Sequence, residues 1–151
     1  MSYYPYIKLV HILLAIMAVG FNASYGIWLA RAAKEPEHQS HVLRTIKVLD
    51  DRFANPAYGF LFLTGLLMVA ISPLSISTFW ISTSIGLWLL LGFIAFFGYS
   101  PTLRRQIALL DAGQVESAEF ERLAKRGQVV GGILGLIVLA IVYLMVVKPI
   151  P

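Results

Sequence analysis

The chain consists of long apolar runs separated by two short segments that hold almost all of its charge. All eight acidic residues and ten of the twelve basic ones fall between Arg31 and Arg52 or between Arg104 and Arg126. The uncharged runs are Leu9–Ala30, Ala54–Ser72, Phe79–Tyr99 and Val129–Val147. Each has about the 17–25 residues that a helix needs to cross a hydrocarbon core of about 30 Å. The pattern predicts an all-α membrane bundle with four spans, at about 7–31, 54–72, 79–99 and 128–148.

The two charged segments show an apolar face of their own. Residues spaced at i, i+4, i+7 and i+11 form one side of a helix in the first segment: Val42, Ile46, Leu49 and Phe53. A similar set follows the third run and ends near Gly113: Leu103, Ile107 and Leu110. We expect short amphipathic helices that lie on the cytoplasmic surface of the membrane. The alternative is that these faces dock a partner protein.

Two Pro-containing pairs mark where helices are expected to start. In Asn55-Pro56 and Ser100-Pro101, a residue type that favours the N-cap position precedes a proline, which favours the first helical turn. The first pair is expected to open the second span, and the second pair to open the amphipathic segment after the third span.

Composition supports a membrane protein and excludes several classes of function. Hydrophobic residues make up 58% of the 151 residues, charged residues 13%, and the mean hydropathy is +0.77. We therefore expect a single membrane domain, 1–151. The net charge of +4 does not indicate nucleic-acid binding, because the Lys and Arg residues flank the spans, where they meet lipid headgroups. Without cysteine, the chain forms no disulfide, iron–sulfur cluster or thiolate metal site.

Several spans have a side suited to packing against other helices. In the first span, a stripe with small residues also carries the polar groups His11, Asn22 and Tyr25, which we place in the bundle interior. Rows of small residues spaced by four appear in the third and fourth spans: Ser82 and Gly86, then Gly127, Gly131 and Gly135. Such rows allow close helix contact in lipid. They serve packing within the chain or association in a homodimer or larger membrane complex.

His11 is the ionisable residue placed well inside a span. Such residues face the bundle interior or water, and a neutral imidazole can bond a neighbouring helix, bind a metal or ligate haem iron. Met68 and Tyr143 should reach a similar depth, and both residue types can serve as a second axial ligand. Ser82, Thr83 or Tyr143 could instead accept a structural hydrogen bond. His38 and His41 belong to the charged segment on the other side and are interpreted as solvated.

Three sequence segments resemble a group of small bacterial membrane proteins. They are Ile7-Lys8-Leu9-Val10-His11, then Asn55-Pro56-Ala57 with Leu63-Thr64-Gly65, and the ending Leu144-Met145-Val146-Val147-Lys148-Pro149. The chain is identified as a member of the integral membrane family called domain of unknown function 2269. That family is related to the HemJ-type protoporphyrinogen oxidases and the CopD-type copper-resistance domains. The resemblance implies a location in the bacterial plasma membrane.

The resemblance also implies a cofactor. In HemJ-type proteins the first-span histidine is implicated in haem b binding, and His11 matches that position. Those oxidases tend to carry a Tyr-His pair in a later span, whereas this chain has Tyr99-Ser100, which argues against porphyrinogen oxidation. Two functions stay open. One is a small haem b redox protein that uses His11, alone or in a dimer with two such ligands, with Met68 or Tyr143 as a further candidate. The other is a non-catalytic accessory subunit. A quinone or lipid pocket lined by Asn22 and Tyr25 is a third.

The basic residues predict the orientation. The first and third loops carry five Lys or Arg each and the loop at 73–78 carries none, so both charged loops should be cytoplasmic and both termini outside. Single cysteines at Gln39, Ser75 and Gln114 test this with an impermeant thiol reagent on intact cells. We expect labelling at Ser75 alone. Labelling at Gln39 or Gln114 without labelling at Ser75 would overturn the orientation.

Overall fold

The computed structural model describes residues 3–149, and within that range the chain is helical, with no β-strand. The helices are α1 (Tyr4–Ala32), α2 (Pro36–Leu49), α3 (Asn55–Ala70), α4 (Phe79–Ile94), α5 (Ser100–Asp111) and α6 (Ala118–Val147). Four helical stretches are long and apolar enough to cross a membrane. The prediction of an all-α bundle with four spans is confirmed.

Two of the four long helices continue from a span into a charged segment. A π turn at Asp50–Ala54 joins α2 to α3, and a second π turn at Ala95–Tyr99 joins α4 to α5. The resulting helices, Glu37–Ala70 and Phe79–Asp111, have 34 and 33 residues. At 1.5 Å per residue each is about 50 Å long, about 20 Å more than the hydrocarbon core. Both extensions leave the spans at the same end of the bundle, which we call the charged end.

The π turns correct the expectation that Asn55-Pro56 and Ser100-Pro101 begin new helices. Asn55 and Ser100 both have helical backbone angles, and neither side chain caps a helix. A proline inside a helix lacks its N–H and collides with the preceding turn. A π turn inserts one extra residue into that turn, and the N–H of Asn55 bonds to the Asp50 carbonyl five residues back. The helix therefore continues through the proline instead of ending.

The spans associate as two antiparallel pairs. Helix α1 packs along α3, and α4 packs along α6. The aromatic rings of Phe62 on α3 and Trp88 on α4 stack with centroids 4.2 Å apart and connect the pairs. Two small side chains are fully buried, Ala18 on α1 and Ala57 on α3. Close approach through small residues is how helices pack in lipid, which offers little hydrophobic drive.

The charged end contains the hydrophobic core of the molecule. It consists of one buried cluster: Tyr25, Leu43, Ile46, Leu103, Leu109 and Phe120. Val42, Leu49, Ile107 and Leu110 pack around it. The expectation that α2 and α5 lie on the membrane surface is therefore wrong. Their apolar faces cover each other and the start of α6, because each helix continues the direction of its span and cannot turn flat onto the lipid.

Polar contacts set the register of the charged-end helices. Arg44 on α2 forms an ion pair with Asp111 at the end of α5. Arg105 on α5 donates to Glu119 on α6 at 2.9 Å. Helix α6 starts with a side-chain cap, in which Ser117 accepts from the N–H of Phe120 at 3.1 Å. These ion pairs are solvent-exposed, so each contributes only about 0–1 kcal/mol to the stability of the fold. Their main effect is to align the helices with one another.

We predict that Ile46→Ala destabilises the protein strongly, because Ile46 is 1% exposed at the centre of the charged-end core. Removing a buried aliphatic side chain costs about 2–5 kcal/mol. Val48→Ala is the matched control, since Val48 lies on the same helix and is 49% exposed. Thermal unfolding in detergent should show a large drop in Tm for Ile46→Ala and a small one for Val48→Ala. Equal Tm values would mean that this core does not stabilise the fold.

Candidate functional site

His11 is held between the two helices of the first pair. It lies about 10 Å along α1 from the start of that helix, half-buried against α3. Its Nδ1 is 2.9 Å from the hydroxyl oxygen of Thr64. A Cβ on Gly65 would lie 3.3 Å from the imidazole Cε1, so this glycine leaves the ring just enough room. Thr64 and Gly65 together fix the position of the ring on α3.

The hydrogen bonds of Thr64 bear on which imidazole nitrogen carries the proton. The Thr64 hydroxyl lies 2.7 Å from the Phe60 carbonyl oxygen, to which it can donate. With its hydrogen on that carbonyl, the hydroxyl oxygen accepts from His11, and Nδ1 then carries the ring hydrogen. In this tautomer Nε2 has a free lone pair. An imidazole whose Nδ1–H is bonded and whose Nε2 is free has the form found in metal-bound histidines.

The other residues suggested as haem ligands occupy different positions. Met68 is partly buried on α3, one helical turn beyond Thr64 and so on the same side of that helix. Tyr143 lies on α6, which packs along α4, and its side chain is 57% exposed. Residues 3–149 hold no group of three or more His, Cys, Asp or Glu residues that could bind a metal ion without a further cofactor. His38 and His41 are exposed on α2.

Asn22 and Tyr25 have different roles. The Asn22 amide is partly buried and donates to the Ala18 carbonyl of its own helix at 3.0 Å, which satisfies one of its donors locally. Tyr25 is 4% exposed, at the charged end, and its buried hydroxyl has no hydrogen-bond partner within residues 3–149. Tyr25 therefore occupies the interior position that the stripe on the first span indicates.

The row of small residues on α6 has two distinct parts. Near the charged end, a Cβ on Gly127 would lie 3.8 Å from the Gln106 Oε1, and one on Gly131 would lie 3.9 Å from the Tyr99 ring. Farther along, Gly135 is exposed and has no neighbouring atom within 4 Å of such a Cβ. Ser82 and Gly86 on α4 are also exposed. Two of the three glycines in the α6 row are thus packed inside the chain, and Gly135 is open.

Two concave regions lie away from His11. A cavity of about 60 Å³ at the charged end has polar side chains from three helices in its wall: Gln39, Tyr99, Thr102, Gln106 and Gln128. The Oε1 of Gln39 is buried without a hydrogen-bond partner. A shallower depression of about 310 Å³ at the opposite end is lined by Tyr4, Pro5 and residues 71–74.

Sequence reasoning missed Thr64 and Asp50. Thr64 is a polar residue in an apolar run, and a search for hydroxyls on the second span would have found it. Asp50 belongs to a segment rich in charge and is not distinguished there by its sequence context, yet it is 8% exposed. Its burial results from the π turn and the packing of α1, which charge patterning does not report.

Together these features describe a small bundle of membrane-spanning helices with a histidine fixed between two of them. The chain belongs to the family of predicted integral membrane proteins DUF2269, whose model matches residues 5–149. No curated protein and no solved structure matches the chain.

Proposed function

We propose that this protein is a haem b-binding redox protein of the bacterial plasma membrane in which His11 is an axial ligand. The observation that carries the proposal is the anchored imidazole, whose Nδ1 lies 2.9 Å from the Thr64 hydroxyl oxygen. Haem iron requires few protein ligands, so a chain without a cluster of metal-binding side chains can still bind it. When bound, haem supplies one-electron transfer.

Besides His11, the chain offers a residue that orients the imidazole and two candidates for a second axial ligand. Thr64 keeps the ring oriented by accepting a hydrogen bond from Nδ1–H. Met68 is the better candidate for a second ligand, because it is partly buried on the same side of α3 as Thr64. Tyr143 is the weaker candidate, because its side chain is 57% exposed. A second His11 in a homodimer is the alternative.

We predict that protein produced with ample haem shows a Soret band and that His11→Ala abolishes it. Thr64→Val keeps the shape of the threonine but removes the acceptor, and should weaken haem binding by about 10–100-fold. His41→Ala is the matched control, because this histidine is exposed on α2. Haem titration followed by visible absorption measures all four proteins, and Tm values confirm that each is folded.

Two results would contradict the haem proposal. One is a wild type that stays colourless and does not bind added haem. The other is a His11→Ala variant whose spectrum equals that of the wild type. In either case the His11–Thr64 bond would be a structural contact between helices, for which about 0.6–2 kcal/mol is typical.

The second candidate function is that of a non-catalytic subunit in a larger membrane assembly. The open part of the small-residue row favours it, because Gly135 offers a surface on which another helix can approach closely. Among residues 3–149, no atom lies within 4 Å of a Cβ built on Gly135. A second copy or a different membrane protein would cover it.

Two glycine variants separate packing within the chain from association. Gly131→Leu should lower Tm, because its side chain would meet the Tyr99 ring. Gly135→Leu should leave the Tm of the single chain unchanged but reduce association, measured by native mass spectrometry from detergent. If Gly135→Leu associates as the wild type does, this surface faces lipid and the subunit interpretation loses its support.

A further inference from the structure

The charged-end cavity lies on the boundary between the two halves of the chain. The first half, α1 to α3, contributes the end of α1 and the first turns of α2 to the cavity wall, including Gln39. The second half, α4 to α6, contributes Tyr99, Thr102 and Gln106, and Gly127 from α6. Whatever occupies this cavity therefore touches both halves.

Gln39 places a buried polar atom at this boundary. Its Oε1 has no hydrogen-bond partner within residues 3–149. Exchanging the oxygen and nitrogen of the amide would put a donor in the same place, so a partner is required in either orientation. Native structures satisfy nearly all buried polar atoms through protein groups or ordered water, because an unsatisfied one destabilises the fold. The cavity is the place from which such a partner can reach the Gln39 amide.

Two polar side chains of the second half line the same cavity. Gln106 is only 7% exposed, and its Oε1 would lie 3.8 Å from a Cβ on Gly127. Thr102 donates to the Gly98 carbonyl at 2.7 Å, so its oxygen is left to accept from a further partner. Both halves thus present oxygen acceptors, and a molecule that joins them must donate at least two hydrogen bonds.

The size and the charge of the cavity favour water as that molecule. At about 60 Å³ the cavity has room for about four water molecules, since one water requires at least 10–15 Å³. None of the described residues that line it is charged, so an ion would be buried there without a countercharge. Water is neutral, donates two hydrogen bonds and also accepts from the amide groups of the glutamines.

We propose that the charged-end cavity is a binding site for ordered water that joins Gln39 on α2 to Gln106 on α5. The last torsion of a glutamine side chain is soft, so the Gln39 amide can turn toward water in the cavity. Gly127 keeps the space open, because a side chain there would extend toward Gln106 and Thr102. The halves are thus connected by a buried water bridge as well as by apolar packing. The site does not involve His11 and is independent of haem binding.

NMR spectroscopy of the full chain in lipid nanodiscs tests the site through nuclear Overhauser effects between water and side-chain amides. The amide protons of Gln39 and Gln106 should show effects of the sign that marks long-lived, ordered water. Gln114 is the matched control, because it is exposed and should contact only fast-exchanging surface water. Gly127→Leu should remove the long-lived contacts, because its side chain fills the cavity.

The melting temperature of Gln39→Leu provides a second measurement. If water bridges the halves, this variant removes one of the partners of that water, and Tm should fall. If the cavity is dry, the variant removes an unsatisfied buried acceptor, and Tm should rise. Gln114→Leu, at the exposed position, should leave Tm nearly unchanged.

Three outcomes would overturn the proposal. Water contacts of Gln39 and Gln106 that are no longer-lived than those of Gln114 would mean that the cavity is dry. A raised Tm for Gln39→Leu would mean the same. Long-lived contacts that persist in Gly127→Leu would place the water outside the cavity. The first of these outcomes uses only the wild type, so it does not depend on the folding of any variant.

Discussion

The fold depends on the burial of the apolar faces of α2 and α5 against each other at the charged end. Inside hydrocarbon, lipid is as apolar as leucine, so the spans gain little by hiding such side chains from it. Outside the hydrocarbon, water drives apolar faces together. Ile46 and Leu103, both fully buried, contribute to this contact, and Phe120 at the start of α6 completes it. This core fixes the order and the spacing of the four spans.

That core exists because two helices run straight through their prolines. If Pro56 ended a helix, α2 could turn and place its apolar face on the membrane. The π turn at Asp50–Ala54 instead carries the axis of α3 outward into α2. The π turn at Ala95–Tyr99 likewise carries the axis of α4 into α5 ahead of Pro101.

The sequence predicts the spans well because crossing a membrane is a local property of about 20 consecutive residues. It also shows the apolar face formed by Val42 and Ile46, since periodicity is local as well. It does not show what covers that face, because the partner residues Leu103 and Phe120 are more than 50 residues away. The Asn55-Pro56 pair indicates a proline near a helix start, but a cap and a π turn leave the same sequence signal.

The candidate site was partly predictable for the same reason. His11 stands out as an ionisable residue in an apolar run, and the structure adds its partner Thr64. Asp50 does not stand out, because it is one of two adjacent aspartates in a charged segment. Only packing distinguishes it from Asp51, which is exposed. Burial of this kind depends on contacts between distant residues.

The orientation of α2 tests the central claim most directly. Spin labels at the exposed positions Glu37, His41, Thr45 and Val48 report depth through their accessibility to oxygen and to a water-soluble nickel chelate. If α2 continues the axis of α3, depth increases steadily along the helix, by up to about 1.5 Å per residue. If α2 lies flat on the membrane, these four positions, which share one face of the helix, stay at nearly the same depth, and the account of the charged-end core is wrong.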